Sequence, residues 1–170
     1  MICAGASELS MSQWASAYVE SALGIPKRIG DIAGPCLFSA AMGISRLFYG
    51  KYGEKIDLKK FMVFSGILCL ICYLLTSLGA SPALGLIGCI LCGFSVGIMW
   101  PGTISITSVK IPLGGTSMFA LLAMAGDMGG SIGPYIIGYI TQTANNNLKA
   151  GMLAACIFPI VLVISICILS

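Results

Sequence analysis

The fold is decided by the run FMVFSGILCLICYLLTSLGA at residues 61–80, which holds no charged side chain. A helix needs about 20 mostly apolar residues to cross a bilayer, so this run is long enough to span one. Similar runs recur along the chain, and none shows the alternation typical of barrel strands. They predict an all-α, polytopic transmembrane bundle of six helices, at about residues 1–24, 32–49, 61–80, 83–109, 113–141 and 150–170.

The composition excludes the soluble classes of protein. Of the 170 residues, 58% are hydrophobic and 9% are charged, and the mean hydropathy is +1.00, whereas a soluble domain carries about 25% charged residues. The chain holds no histidine, and its sequence shows neither a nucleophile–base set nor a phosphate-binding loop. We therefore expect that it is not an enzyme, that it uses no cofactor and that it has no nucleic-acid partner.

The eight cysteines raise the question of a metal site. Cys69-x-x-Cys72 and Cys89-x-x-Cys92 have the spacing found in zinc ribbons. Both pairs lie inside spans rich in leucine and isoleucine, where cysteine behaves as a small hydrophobic residue. We therefore predict that these residues pack in the core, and we assign no metal ligand and no catalytic residue.

Basic residues fall unevenly on the two sides of the predicted bundle. Six lie on the side that holds the charged loop at residues 50–60, and three lie on the other side. Because cytoplasmic loops carry an excess of lysine and arginine, we expect the larger group to be cytoplasmic and the first helix to run outward. The larger group is Arg46, Lys51, Lys55, Lys59, Lys60 and Lys110, and the smaller group is Lys27, Arg28 and Lys149.

A polar stripe runs along the first predicted helix. It consists of residues spaced four apart on one slowly rotating face, Glu8, Ser12, Ser16 and Glu20. Gln13 lies beside the stripe, which is costly to expose to lipid, so the stripe lines either an aqueous cavity or an interface within the bundle. Trp14 lies on an adjacent face, where it either stacks on a ligand or packs against the core or lipid.

Two other features interrupt apolar spans. Asp127, near the middle of the fifth predicted helix, is either a proton- or substrate-linked carboxylate or a polar anchor to a neighbouring helix. Trp100-Pro101-Gly102 predicts a kink in the fourth helix, because proline lacks the N–H and clashes with the preceding turn. The carbonyl freed by the kink either binds a ligand at a cavity or is satisfied by Thr103 or water.

Glycines four residues apart mark faces where helix backbones approach closely in lipid. This spacing occurs at Gly30/Gly34 and Gly93/Gly97, and it is densest in the fifth predicted helix. We expect that helix to be pressed tightly against a neighbour. The predicted packing residues are Gly126, Gly129, Gly130, Gly133 and Pro134.

Three motifs resemble those of the major facilitator superfamily. The segment RLFYGKYGEK at residues 46–55 resembles the G-x-x-x-D-R-x-G-R-R loop between helices two and three of a superfamily half, although Gly50 replaces the aspartate. Its candidate gating residues are Arg46, Lys51, Gly53 and Lys55. Gly129-x-x-x-Gly133-Pro134 is similar to the glycine–proline helix found fifth in such halves. ASE at residues 6–8 and QWASA at residues 13–17 resemble the seventh helix of bacterial fucose and glucose/galactose permeases.

The resemblance implies the carboxy-terminal, six-helix half of a twelve-helix transporter, with its first helix clipped, in a bacterial plasma (inner) membrane. Such a protein is a secondary transporter that works by alternating access, often coupled to protons. The cavity would be lined by Glu8, Ser12, Gln13, Trp14 and Trp100, and Asp127 would lie at a moving contact or serve in coupling. Since no basic residue falls near the predicted midplane, we expect a neutral or cationic small solute, such as a sugar or related metabolite.

The expected partners are this solute, membrane lipid, and either a missing amino-terminal half or a second copy of the chain. Two alternatives stay open at this stage. One is a half-size protein that works as a dimer, and the other is a truncated membrane fragment that transports nothing.

Overall fold

A computed structural model describes residues 1–24 and 26–168. The described part is a bundle of α-helices, with one short 3-10 turn at Gly53–Lys55 between the second and third helices. Residue 25, and residues 169–170 at the end of the sixth predicted helix, lie outside the described residues. The helices are α1 (Ile2–Leu23), α2 (Lys27–Tyr52), α3 (Leu58–Leu78), α4 (Pro82–Val96), α5 (Met99–Lys110), α6 (Gly115–Thr143), α7 (Leu148–Ala155) and α8 (Ile157–Ile168).

These helices form six segments, because α4 continues into α5 and α7 continues into α8 after a short break. Four segments of the described chain are long and apolar enough to cross a membrane: Lys27–Tyr52, Leu58–Leu78, Ala83–Lys110 and Leu148–Ile168. The other two segments, α1 and α6, carry the carboxylates that the sequence places inside spans, together with several glycines and serines. They make the most extensive helix–helix contact in the bundle, and glycines of both helices lie at this contact.

The charged loop expected at residues 50–60 is shorter in the structure. Helix α2 begins directly after Pro26 and continues through Tyr52, so the predicted span 32–49 extends at both ends. Helix α3 then begins at Leu58, where the side chain of Asp57 accepts hydrogen bonds from the backbone N–H groups of Lys59 (3.0 Å) and Lys60 (3.4 Å). A side-chain cap of this kind satisfies backbone donors that a helix start leaves unpaired.

The kink in the fourth segment lies one turn before the predicted position. The break falls at Gly97–Ile98, and Pro101 is already inside the first turn of α5. A proline ring clashes with the carbonyl four residues earlier and supplies no N–H to it, which for Pro101 is the carbonyl of Gly97. The break between α7 and α8 at Cys156 has the same relation to Pro159, and it was not anticipated from the sequence.

Helices α1 and α6 are in backbone contact and run in the same direction. A Cβ atom on Gly129 would overlap the carbonyl oxygen of Ile2, and one on Gly5 would overlap that of Gly126. One on Gly133 would lie 2.5 Å from Ser10 Oγ. Glycine is needed at these positions because any side chain would push the two backbones apart. We call this contact the glycine seam.

The glycines predicted for packing do lie at close contacts, and the structure adds their partners. Gly130 packs on the side chain of Leu9 on α1, whereas a Cβ on Gly126 would lie 2.5 Å from the indole ring of Trp100. Pro134 lies inside α6, which continues through it. Gly126 therefore serves two neighbours, the backbone of α1 and an aromatic ring from α5.

The centre of the bundle is rich in sulfur. The Sγ atoms of Cys69 and Cys92, on α3 and α4, lie 3.8 Å apart, and the thiol of Cys89 donates to the sulfur of Met11 at 3.5 Å. Beside them the hydroxyl of Tyr73 donates to the carbonyl oxygen of Ser7 at 2.8 Å. Among the described residues, no group of three or more His, Cys, Asp or Glu side chains is arranged to hold a metal ion. Cys69, Cys72, Cys89 and Cys92 are buried and help to fill the core between α1, α3 and α4.

The two ends of the bundle differ in the number of lysines that they hold. Lys59 and Thr107 line one surface pocket, so the start of α3 and the end of α5 lie at the same end. We call this the lysine-rich end, and it holds Lys51, Lys55, Lys59, Lys60 and Lys110. At the opposite end, the ammonium of Lys149 donates to the carbonyl oxygen of Gly79 at 2.6 Å and so ties α7 to the end of α3.

Because main-chain atoms touch at the glycine seam, one added methyl group there should lower the stability of the protein. Gly129→Ala should lower the free energy of unfolding by about 1–3 kcal/mol, because the two backbones must separate to admit it. Thermal unfolding of the purified protein in detergent measures the effect.

Gly43→Ala is the matched control, because a Cβ at this position on α2 meets nothing within 4 Å. It should leave the stability unchanged or raise it by up to about 1 kcal/mol, through the better helix propensity of alanine. Equal effects of the two substitutions would contradict the seam.

Candidate functional site

A cavity of about 530 Å³ opens between α1, α2 and the break that separates α4 from α5. This volume is within the range of about 300–1,000 Å³ that small-molecule sites occupy. Tyr49 and Gly50, near the end of α2, place its mouth toward the lysine-rich end. We call it the inner cavity, and it is lined by Glu8, Arg46, Tyr49, Gly50, Ile98, Trp100, Pro101 and Ile104.

The wall of the inner cavity holds polar atoms that have no partner. Glu8 Oε2 and Trp100 Nε1 are both buried, and neither has a hydrogen-bond partner. Buried polar groups are nearly always hydrogen-bonded, since an unpaired one costs about 1–3 kcal/mol. The carboxylate of Glu8 and the guanidinium of Arg46 line the same space, yet the described residues contain no ion pair between them within 4 Å. The wall therefore keeps an acceptor and donors that no group of the described chain uses.

Arg46 is held at the helix break. Its Nε–H donates to the carbonyl oxygen of Gly97 at 3.2 Å, which is the acceptor that Pro101 leaves without an N–H partner. The sequence suggested Thr103 or water for this role, but the hydroxyl of Thr103 donates to Met99 instead, at 2.6 Å. The arginine thus replaces the missing backbone hydrogen bond and fixes α2 against the break.

Arg46 belongs to α2 and lines the inner cavity, inside the span predicted at residues 32–49. A gating role for it stays a prediction. The sequence did not anticipate that this basic side chain lines a cavity, and the expectation of a neutral or cationic solute also stays a prediction.

Gln13 and Asp127 lie elsewhere, in an open groove of about 520 Å³ between α1 and α6. Asp127 is exposed, and within the described chain its carboxylate has no hydrogen-bond or ion-pair partner. The hydroxyl of Ser131 donates to the backbone carbonyl of Asp127 at 3.0 Å and leaves the carboxylate free. We call this the outer groove, and it is lined by Leu9, Gln13, Asp127, Gly130, Ser131, Pro134 and Tyr135.

The polar stripe of α1 does not line one continuous cavity. Its first member, Glu8, is in the inner cavity, whereas the hydroxyl of Ser16 donates to the carboxylate of Asp31 on α2. Ser12 is half-buried and lines neither the inner cavity nor the outer groove. Trp14 is half-buried against α6, 3.9 Å from a Cβ placed on Gly138. The stripe is therefore part cavity and part helix interface.

The remaining candidate gating residues lie at the surface of the lysine-rich end. Lys51 and Lys55 are exposed, and the Lys51 ammonium lies 5.5 Å from the centre of the Tyr52 ring. A Cβ on Gly53 would lie 3.2 Å from the ring of Tyr49. These contacts are local to the turn after α2, so a gating role for Lys51, Gly53 and Lys55 stays a prediction.

The bond between Arg46 and the helix break can be tested by a double-mutant cycle. Arg46→Ala should cost about 1.5–3 kcal/mol of stability, the usual worth of a hydrogen bond to a charged group. In a Pro101→Ala background the cost should fall by about 1 kcal/mol or more, because an alanine at this position supplies a backbone N–H to the carbonyl of Gly97. Unfolding in detergent measures each corner of the cycle.

Arg46→Ala combined with Thr103→Ala is the control pair, since Thr103 bonds a different carbonyl. Those two effects should add. Additive effects in the pair with Pro101→Ala would show that Arg46 does not serve the freed carbonyl.

The whole chain, residues 1–170, matches the family model of the Major Facilitator Superfamily. No curated protein and no solved structure matches it. The match agrees with the helical bundle, the apolar spans and the position of the glycine–proline helix, α6, as the fifth segment. The narrower likeness to fucose and glucose/galactose permeases stays a prediction. This chain is an integral membrane protein and belongs to the major facilitator superfamily, a family of membrane transporters of small solutes.

Proposed function

We propose that this chain is the carboxy-terminal half of a secondary transporter that moves a small polar solute by alternating access, coupled to protons. The observation that carries the proposal is the inner cavity, which has the volume of a small-molecule site and unpaired polar atoms in its wall. Sequence resemblance to bacterial sugar permeases favours a sugar or related metabolite and a bacterial plasma membrane.

The broken fourth segment supports a moving part beside the cavity. In secondary transporters, discontinuous helices lie next to the solute site, and one bundle rocks against the other. Here Ile98, Trp100 and Pro101 contribute the break to the cavity wall, and Arg46 bridges it to α2. A change in the angle between α4 and α5 would alter the cavity and the position of Trp100 together.

The outer groove supports the proposal that a second six-helix unit covers this one. Asp127 lies near the middle of the 29-residue helix α6 and is exposed, as are Ser131 and Tyr135. A carboxylate that faces lipid at this depth costs a few kcal/mol. Contact with an amino-terminal half would remove this cost, and we favour this half over a second copy because the likeness of α1 is to a seventh helix.

Asp127 is also our candidate for proton coupling. Its carboxylate is free of partners within the described chain and is exposed on the surface that a second unit would cover. A group at a moving interface that meets a different environment in each state changes its proton affinity between the two states. Such a difference links proton movement to the rocking motion.

Asp127→Asn in the complete transporter should abolish the dependence of uptake on an imposed proton gradient. The amide keeps the size and polarity of the side chain but cannot release a proton. Uptake into lipid vesicles, measured with and without an inward proton gradient, tests this, while exchange of solute without a gradient should persist.

Asp57→Asn is the matched control. It is the same substitution at a residue outside the spans, and asparagine caps a helix as well as aspartate does. It should leave gradient-driven uptake unchanged. A gradient response of Asp127→Asn equal to that of the unaltered protein would make Asp127 a structural anchor.

The half-transporter proposal makes a second prediction. Residues 1–170, expressed alone, should insert in the membrane but show no solute uptake, because alternating access requires a second unit to rock against. Robust uptake by the purified chain in vesicles would instead favour the self-pairing protein. Failure of any form to transport, with or without another half, would favour the inactive fragment.

A further inference from the structure

We infer that the inner cavity binds a small zwitterion, with its ammonium against Glu8 and its carboxylate against Arg46 and Trp100. The inference rests on the proposed function, since it names the class of solute for the same cavity. It narrows the related metabolites proposed above to those that carry one positive and one negative group.

The first step is the charge pattern. Of the eight lining residues, Glu8 and Arg46 carry charge, and they carry opposite charges. They do not pair with each other within 4 Å, so the cavity presents an anionic place and a cationic place with space between them. A charge in a partly buried site is stabilised by an opposite charge and by hydrogen bonds to its remaining atoms.

The charged and polar groups of the wall also differ in whether they accept or donate hydrogen bonds. Glu8 Oε2 is buried and offers a lone pair with no donor nearby, which is what an ammonium N–H requires. Arg46 uses its Nε–H on Gly97, and its terminal nitrogens keep their donors. Trp100 adds an unpartnered Nε1–H, which can only donate. The two donors suit a carboxylate, which accepts through both of its oxygens.

The third step is what holds these groups in place. The indole of Trp100 rests on Gly126 of the glycine seam, where a Cβ would lie 2.5 Å from the ring. The hydrogen bond to Gly97 anchors Arg46. The same wall includes the apolar side chains of Ile98, Pro101 and Ile104, which suit the hydrocarbon part of a solute.

Other classes of solute fit the wall less well. A neutral sugar offers hydroxyl groups to both charges but neutralises neither of them. A cation leaves Arg46 without a counter-charge, and an anion leaves Glu8 without one. Hydrogen bonds to charged groups are worth about 1.5–3 kcal/mol each, so a zwitterion gains from both ends where a singly charged analogue gains from one.

Four small probes separate these classes. They are leucine, which is a zwitterion, leucinamide, which is a cation, N-acetylleucine, which is an anion, and galactose, which is neutral. The measurement is the rise in unfolding temperature of the complete transporter in lipid nanodiscs as each probe is titrated, because a ligand that binds the folded state stabilises it. We expect half-saturation by leucine at a concentration at least about tenfold lower than by any other probe.

Glu8→Gln should raise the half-saturating leucine concentration by at least about tenfold. It should leave that of N-acetylleucine unchanged or lower it, because the anion makes no favourable contact with Glu8 and the substitution removes an unpaired negative charge. The matched control is Glu20→Gln, on the same helix near its other end and outside the inner cavity. It should leave the leucine titration unchanged. If Glu8→Gln does not fold, the ranking of the four probes on the unaltered protein decides the question.

Two sets of outcomes overturn the inference. One is galactose or a singly charged probe binding as well as leucine, which would leave the proposed transporter standing with another solute class. The other is that none of the four probes stabilises a protein that still takes up some other solute. Lack of uptake of every solute tested in vesicles would instead overturn the proposed function.

Discussion

The backbone contact between α1 and α6 is the constraint on which the rest of the bundle depends. Glycines at positions 5, 129 and 133 allow the two helices to approach until main-chain atoms touch. This approach leaves Glu8 on one side of α1 and Gln13 on the other, so one helix serves two separate sites. It also makes Gly126 the floor on which Trp100 rests, and it thereby connects the packing of α6 to the wall of the inner cavity.

Proline provides the second organising element, because it frees a carbonyl where a helix passes the cavity. The bilayer offers no water to satisfy such a group, so the protein must supply a donor. Arg46 supplies it across 51 residues of sequence. The same side chain brings a positive charge beside Glu8, and a structural requirement of the broken helix thus contributes to the chemistry of the cavity.

Much of the architecture follows from the sequence, because hydrophobic length and glycine spacing act locally. The six segments and the close contacts of Gly126, Gly129, Gly130 and Gly133 are of this kind. The inner cavity could not be read in this way, because it depends on which side of α2 faces α1. Arg46 lies among loop-like charges in the sequence, and only its distance from Gly97 shows its role. The sequence also did not show that the polar stripe is part cavity and part helix interface. That depends on the packing of α2 against α1 near Ser16.

The glycine seam joins parts of the chain that are made at very different times. Gly126 follows Gly5 by more than a hundred residues, and at a synthesis rate of about 5–20 residues per second this separation takes on the order of ten seconds. During that interval α1 has no α6 to pack against, and the face of α1 that carries Gly5 and Ser10 must be tolerated by lipid or by the insertion machinery. Helix α1 therefore spends this interval without the helix with which it makes its most extensive contact, and its final packing depends on a segment that is inserted much later.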